Sequence, residues 1–102
     1  MIVSFATEEL AALCNSGAAL DKRFGRERGE LIRQRMYEVA GAPSIDGLTR
    51  LPALKCSRRT EAGREVVVVL VDSITMLAIE ALTAQSGVEE LVIVELIHEA
   101  DR

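Results

Sequence analysis

Four basic side chains and the single histidine are the residues of this 102-residue chain that could do chemistry. Lys55, Arg58, Arg59 and Arg64 lie in one short stretch, and His98 lies near the C-terminus. Lysine and arginine bind phosphate groups, and histidine is the side chain whose ordinary pKa suits proton transfer near neutral pH. These residues therefore predict a surface that could bind a polyanion and move a proton, provided that the fold brings them together.

Simpler structural roles remain open for the same residues. Arg58 and Arg59 are adjacent, so on a strand only one of them can face a given site. A basic strand end followed by a turn is often a solvated sheet edge. His98, so close to the C-terminus, could equally be a surface or capping residue.

Length and composition predict one domain over residues 1–102. Apolar residues make up 49% of the chain and charged residues 27%, which excludes a disordered polypeptide. Cys14 and Cys56 form no CxxC motif and have only His98 as a nitrogen ligand, so we expect two buried thiols and no metal or cofactor. No membrane span or signal peptide is recognisable, so a cytoplasmic location without membrane contact is expected.

Charge is distributed unevenly along the chain. Residues 1–64 contain eleven basic and eight acidic residues, whereas residues 65–102 contain eight acidic residues and only Arg102 as a base. The net charge is -4. The asymmetry suggests a polyanionic or acidic partner on one side of the fold, but the acidic C-terminal third argues against strong binding of RNA.

The N-terminal half is predicted to be a strand followed by helices. Residues 2–5 form a short apolar β-type run, and a helix with a hydroxyl cap and early carboxylates is predicted between residues 7 and 17. A second helix is predicted over residues 20–40, weakened by Gly25 and Gly29.

The C-terminal half is predicted to be mainly strands, at residues 53–59, 65–71 and 90–97. The segment before the last strand is ambiguous. Local propensity favours a helix over residues 74–86, which would make a β-α-β unit, whereas segment length favours a tight turn and a strand over residues 74–82.

Two arginines fall on the apolar stripe of the predicted second helix. Arg28 and Arg35 could extend their charged ends to the edge of that stripe. Alternatively, at least one of them pairs with a carboxylate on the sheet beneath, and Glu80 and Glu95 are the candidates because both interrupt apolar strands.

Short motifs in the first 56 residues resemble the opening of the HigB-like killer-protein branch of the RelE/ParE toxin superfamily. They are Phe5-Ala6-Thr7, Leu13-Cys14-Asn15-Ser16, Lys22-Arg23-Phe24-Gly25, Arg33-Gln34-Arg35, Leu51-Pro52 and Lys55-Cys56. The rest of the chain resembles the family more loosely. The resemblance implies an α+β fold in which two N-terminal helices pack on a twisted, mainly antiparallel sheet of four to five strands, with residues 74–82 as a strand.

The resemblance also implies a function and a site. Family members are small plasmid-maintenance toxins; many cleave ribosome-bound mRNA, and a cognate antitoxin neutralises them. RNA cleavage needs a proton acceptor, cations and a donor for the leaving oxygen. The resemblance implies Arg58 and His98 as candidate catalytic residues, and Lys55, Arg59 and Arg64 as RNA-binding cations.

This chain departs from the family pattern at several positions. The family's catalytic arginine falls on Met76, a histidine after Cys56 is replaced by Ser57, and the turn at residues 60–63 is shortened. The family pattern has a histidine near its C-terminus. In one alignment of the two sequences this histidine is His98, and in the other its position is occupied by Ala100.

Three functions follow from these observations. The first is an active, antitoxin-neutralised mRNA endonuclease. The second is a catalytically degenerate member of the same family that acts as a protein-binding module. The third abandons the family and takes residues 66–97 as a β-α-β unit of unknown role.

Overall fold

The computed structural model describes residues 2–99, over which the chain forms four α-helices and one five-stranded sheet. The predicted α+β class is therefore confirmed. The helices are α1 (Glu8–Cys14), α2 (Gly17–Phe24), α3 (Arg26–Gly41) and α4 (Ile45–Thr49). The strands are β1 (Ile2–Phe5), β2 (Ser57–Glu61), β3 (Arg64–Asp72), β4 (Thr75–Thr83) and β5 (Glu89–His98).

The strand order in the sheet is β1-β5-β4-β3-β2. Strands β2 to β5 are consecutive antiparallel neighbours, and β1 pairs in parallel with β5. The C-terminal half is thus a contiguous antiparallel meander, in agreement with the expected mainly antiparallel sheet.

The ambiguous segment is a strand, so the helix over residues 74–86 and the β-α-β unit are both wrong. The inner-facing residues of β4 are buried, with Leu77 and Ile79 fully enclosed, and this burial outweighs local helix propensity. The turn before β4 is closed by Asp72, whose Oδ1 accepts a hydrogen bond of 3.0 Å from the backbone N–H of Ile74.

The second predicted helix, over residues 20–40, is wrong as a single element. Gly25 adopts φ 87° and ψ 155°, a conformation that is essentially restricted to glycine, and it separates α2 from α3. Gly29 remains inside α3, where an added Cβ would lie 2.3 Å from Asp21 Oδ1 of α2. The two helices therefore pack closely side by side.

The strand predicted over residues 53–59 begins later in the structure, at the start of β2. Pro52–Leu54 form a 3-10 helix, and Lys55 at φ 45° reverses the chain before the strand begins. The turn into β3 is also tighter than predicted. Ala62 and Gly63, at φ 50° and 78°, form a two-residue hairpin turn with both residues at positive φ.

One face of the sheet forms the core with the helices. We call it the inner face; its buried residues include Val67, Val69, Val71, Leu77, Ile79, Ala81, Leu91 and Ile93, and they pack with Leu20, Ile32 and Val39 of α2 and α3. The opposite side, here called the outer face, carries the apolar residues Val68, Leu70, Met76, Val92 and Ile97. These outer-face residues are partly exposed and do not belong to the core cluster.

Replacing Gly25 with alanine tests the break between α2 and α3. No neighbouring atom lies within 4 Å of the added Cβ, so the loss comes from the backbone conformation alone and should be about 1–3 kcal/mol. Gly41→Ala is the matched control, because its site is equally open but helical, and we expect it to be neutral or mildly stabilising. Urea unfolding of both variants provides the measurement; equal unfolding midpoints would contradict the proposed role of Gly25.

Candidate functional site

Arg58 lies on the edge strand β2 and is held by two carboxylates. Its Nη1 is 2.9 Å from Asp46 Oδ1 of α4, and its Nη2 contacts Glu65 Oε1 of β3. Arg58 pairs in register with Val67, so its side chain lies on the inner face of the sheet. The guanidinium that was predicted to be catalytic is therefore already neutralised by its neighbours.

The predicted RNA-binding cations are spread over the same end of the sheet. Arg59 Nε lies 2.6 Å from Glu61 Oε1, and Arg64 Nε lies 3.4 Å from Glu80 Oε2, both on the outer face. Arg58 and Arg59 thus point to opposite faces, as their adjacency predicts. Lys55 is exposed at its left-handed turn and makes no ion pair with another residue of the described range 2–99.

His98 ends β5 on the inner face, at the opposite end of the sheet. Its Nδ1 lies 2.8 Å from Oγ1 of the fully buried Thr75, and its ring meets Phe24 edge to face at 5.4 Å between ring centroids. The other register of the family pattern would place Ala100 at this position, and Ala100 lies outside the described residues.

The structure does not bring His98 and the basic stretch together. Arg58 pairs with Val67 on β3, whereas His98 pairs with Thr75, which pairs with Asp72 on β3. Three strand spacings of about 4.8 Å and five residues of about 3.3 Å then separate Arg58 from His98, or roughly 20 Å in all. A single phosphate could not contact both side chains.

The side chains that do meet at the His98 end form a polar cluster around Asp72. Arg28 Nε of α3 lies 2.7 Å from Asp72 Oδ2, and Oγ1 of Thr75 lies 2.8 Å from His98 Nδ1. Asp72 and Thr75 are cross-strand neighbours on β3 and β4, so the two polar pairs lie side by side.

The expected helix-to-sheet ion pair exists, but its carboxylate was predicted wrongly. Arg28 pairs with Asp72, while Glu80 pairs with Arg64 and Glu95 is exposed. Arg35 reaches Glu38 on its own helix and the carbonyl of Leu70. The sequence signal that was missed is the position of Asp72 between a buried strand and a turn. A carboxylate there can pair with a cation on the helix and also accept a hydrogen bond from the backbone of the turn.

Burial alone would raise the pKa of Asp72. Hydrogen bonds from the Arg28 guanidinium, the Ile74 N–H and the Thr75 hydroxyl favour the charged form and outweigh this effect, together with the positive charge of Arg28. The pKa of Asp72 therefore lies below its usual value, and the carboxylate is charged at neutral pH.

Met76, at the position of the family's catalytic arginine, lies on the outer face of β4. Its cross-strand neighbours are Leu70 on β3 and Ile97 on β5, both apolar and partly exposed. Met76 and these two neighbours can bury apolar surface against another molecule, but they offer no positive charge to a phosphate.

Comparison with known proteins found no matching family model, curated protein or solved structure. Over the described residues, no helix is both long and apolar enough to cross a membrane. Nor do residues 2–99 contain a group of three or more His, Cys, Asp or Glu side chains placed to hold a metal ion. Cys14 is buried and Cys56 half-buried, both as free thiols, and burial raises the pKa of each.

Asp72→Asn tests the contribution of the polar cluster to stability. At neutral pH we expect the free energy of unfolding to fall by about 1–2 kcal/mol, since the charge-assisted bond from Arg28 is lost. Because the folded pKa of Asp72 is lowered, its contribution is present above the unfolded value of about 3.9 and disappears as pH falls through the lower folded value. The variant should therefore lose less stability than the wild type between pH 6 and pH 2.

Asp46→Asn provides the control for this experiment. Asp46 also pairs with an arginine, but its side chain is 71% exposed, so we expect a change within about 0.5 kcal/mol. Chemical unfolding at a series of pH values provides the measurement, and identical pH profiles for the wild type and Asp72→Asn would contradict the assignment.

Proposed function

We propose that this chain is a RelE/ParE-like component of a toxin-antitoxin pair that acts in the cytoplasm by binding a protein, its cognate antitoxin, rather than by cleaving mRNA. The observation that carries this proposal is the state of the predicted site. His98 is roughly 20 Å from Arg58, and Arg58, Arg59 and Arg64 are each paired with a carboxylate.

The architecture supports the toxin-like half of the proposal. N-terminal helices pack on one face of a mainly antiparallel sheet, and β2 to β5 form a contiguous meander. That arrangement matches what the motifs between Phe5 and Cys56 imply for a RelE/ParE-like chain. The split of the second helix at Gly25 leaves this arrangement of layers unchanged.

Electrostatics favour protein binding over RNA cleavage. A phosphate approaching Arg58 would have to displace Asp46 and Glu65, and the net charge of -4 repels a polyanion at longer range. Cleavage would also need cations beside the acid-base group. In the polar cluster around Asp72, the guanidinium belongs to Arg28, which Asp72 already occupies.

Surface chemistry points the same way. Met76, Leu70 and Ile97 form a partly exposed apolar area where the family's catalytic arginine would lie. Exposed apolar residues grouped on one face are typical of protein-binding surfaces. A chain that keeps the fold but carries Met76 in place of the catalytic arginine is therefore better suited to binding a protein than to cleaving RNA.

Expression in bacterial cells with and without the product of the neighbouring gene tests this function. We expect induction of the chain alone to cause neither growth arrest nor mRNA cleavage, whereas co-expression should yield a stable complex of the two proteins. Growth curves, mapping of mRNA 5′ ends and copurification through a tag on this chain provide the readouts. Site-specific mRNA cleavage on induction would instead establish the nuclease function, and absence of a complex would refute protein binding.

Substitution of the predicted catalytic residues provides a second test. His98→Ala and Arg58→Ala should leave growth, mRNA and formation of the complex as in the wild type, because neither side chain acts on RNA. Circular dichroism controls for loss of folding, which matters more for His98→Ala because Thr75 would lose its partner. If either variant relieved an arrest caused by the wild-type chain while remaining folded, the catalytic assignment would be correct.

A further inference from the structure

The outer face of the sheet exposes apolar side chains at both of its ends. Leu70, Met76 and Ile97 lie side by side at one end, because the register places Met76 opposite each of the other two. Ile2 and Leu82 lie at the other end and are 55% and 41% exposed. The buried residues of α2, α3 and α4 belong to the core on the inner face instead. Within residues 2–99, this apolar surface is therefore open to another molecule.

Charge on the outer face differs between its two sides. On β5, Glu90 and Glu95 make no ion pair with another residue of the range 2–99. On β3, the side chain of Arg64 is 70% exposed and makes one contact of 3.4 Å, between its Nε and Glu80 Oε2. Arginine carries several N–H donors in a fixed fork, so Arg64 can meet a second carboxylate. The face therefore presents an available cation on one side and carboxylates without a cation on the other.

Two copies that share the outer face as a self-complementary interface are related by a two-fold axis in the plane between them. An axis parallel to the strands places β4 over β4 and β3 over β5 of the second copy. Residues at the same height then meet, so Leu70 faces Ile97 of the second copy and Met76 faces its own counterpart. Further along the strands, Val66 faces Val92 of the second copy. Apolar residues thus lie against apolar residues.

The same axis places opposite charges against each other. Arg64 lies two residues before Val66 on β3, and Glu90 lies two residues before Val92 on β5, so the two charged residues are at the same height. Arg64 of each copy then faces Glu90 of the other, with one ion pair on each side of the axis. Glu80 of the two copies meets near the axis, where each already has Arg64 of its own chain as a counter-charge.

An axis perpendicular to the strands gives a much poorer fit. It reverses the ends of the strands about the middle of the face, so Leu70 faces Arg64 and Ile97 faces Glu90 of the second copy. A charge that is buried against an apolar side chain loses its hydration and gains no partner. The distribution of residues on this face therefore selects the axis parallel to the strands.

The outer face is large enough for a specific dimer. With about 4.8 Å between strands and about 3.3 Å per residue, the five strands present roughly 500 Å² of flat area. Two copies would bury roughly 1,000 Å², and the relief of the side chains adds to this value; specific interfaces begin at about 1,000 Å². Sheets packed face to face lie about 10 Å apart with their strands inclined by about 30°, and side chains from both sheets fill the space.

We propose that this chain forms a homodimer through its outer faces, with the two-fold axis parallel to β4 and with ion pairs between Arg64 and Glu90 of opposite copies. The inference goes beyond the proposed function, because it concerns the isolated chain and needs no antitoxin. Apolar contacts supply most of the affinity, and the ion pairs determine the orientation of the two copies.

Met76→Glu tests the apolar centre of the interface. It places two carboxylates against each other at the axis, so the Kd of the dimer should rise about tenfold or more. Tyr37→Glu is the matched control, because Tyr37 is 84% exposed on α3, on the helical side of the molecule, and this variant should dimerise as the wild type does. Sedimentation equilibrium of the full chain provides the measurement. A wild type that stays monomeric at about 1 mM, or equal dimerisation of both variants, would overturn the proposal.

Exchange of the charges at positions 64 and 90 tests the orientation. Arg64→Glu and Glu90→Arg should each raise the Kd of the dimer about tenfold, since each creates like-charge contacts on both sides of the axis. The double variant R64E/E90R should return the Kd to within about threefold of the wild-type value. This rescue is expected only if the two positions face each other across the interface. Its failure in variants that keep the wild-type circular dichroism would refute the arrangement.

Copurification with the neighbouring gene's product shows whether the outer face belongs to that partner instead. If the wild type alone is dimeric and Met76→Glu is monomeric, the dimer is supported whether or not the partner binds. If the wild type alone is monomeric and Met76→Glu fails to form the complex, the outer face binds the partner. In that case the dimer is refuted and the proposed function stands.

Discussion

Burial of the inner face of β3 and β4 beneath α3 is the interaction on which the rest of the structure depends. Leu77 and Ile79 on the sheet and Ile32 and Val39 on the helix are fully buried, and each such side chain contributes about 1.5–3 kcal/mol. Successive residues of a strand face opposite sides, so burying these residues determines which side chains lie on the outer face. Met76 is on the outer face for this reason.

The charged surface follows from the same arrangement of strands. Glu65 and Glu80 lie on strands adjacent to Arg58 and Arg64, so the antiparallel meander places carboxylates beside the guanidinium groups. Exposed pairs of this kind add little to stability, typically about 0–1 kcal/mol. Their larger effect is on binding, because each pair occupies a cation that would otherwise be free to meet a phosphate. The arginines of the basic stretch are therefore largely neutralised by neighbouring carboxylates in the folded chain.

The position of β1 determines which edge of the sheet stays open. Strand β1 is short because the chain must leave the sheet at Thr7 to begin α1, while β5 continues to His98. The helix that β1 leads into then lines one side of a cleft of about 520 Å³ beside Val94 and Leu96 of β5. One local event, the helix start at Thr7, thus produces both the unpaired edge and the apolar surface beside it.

Local residue patterns predicted many of the elements. The Thr7 cap, the apolar run of β3 and the glycine at position 25 each act through near neighbours in the chain, and the α+β class followed from them together with the family resemblance. The break at Gly25 was recognised only as a weakness, because φ depends on how α2 and α3 pack, which sequence periodicity does not report.

Tertiary structure alone decided the partners of the charged and functional residues. The pairing of Arg28 with Asp72, 44 positions apart, depends on α3 crossing the end of the β3–β4 hairpin, and the distance between His98 and Arg58 depends on strand order and register. Short-range propensity and capping act over a few residues and are readable from sequence. Contacts between distant segments are set by which faces are buried together, so only the folded chain reveals which charges meet.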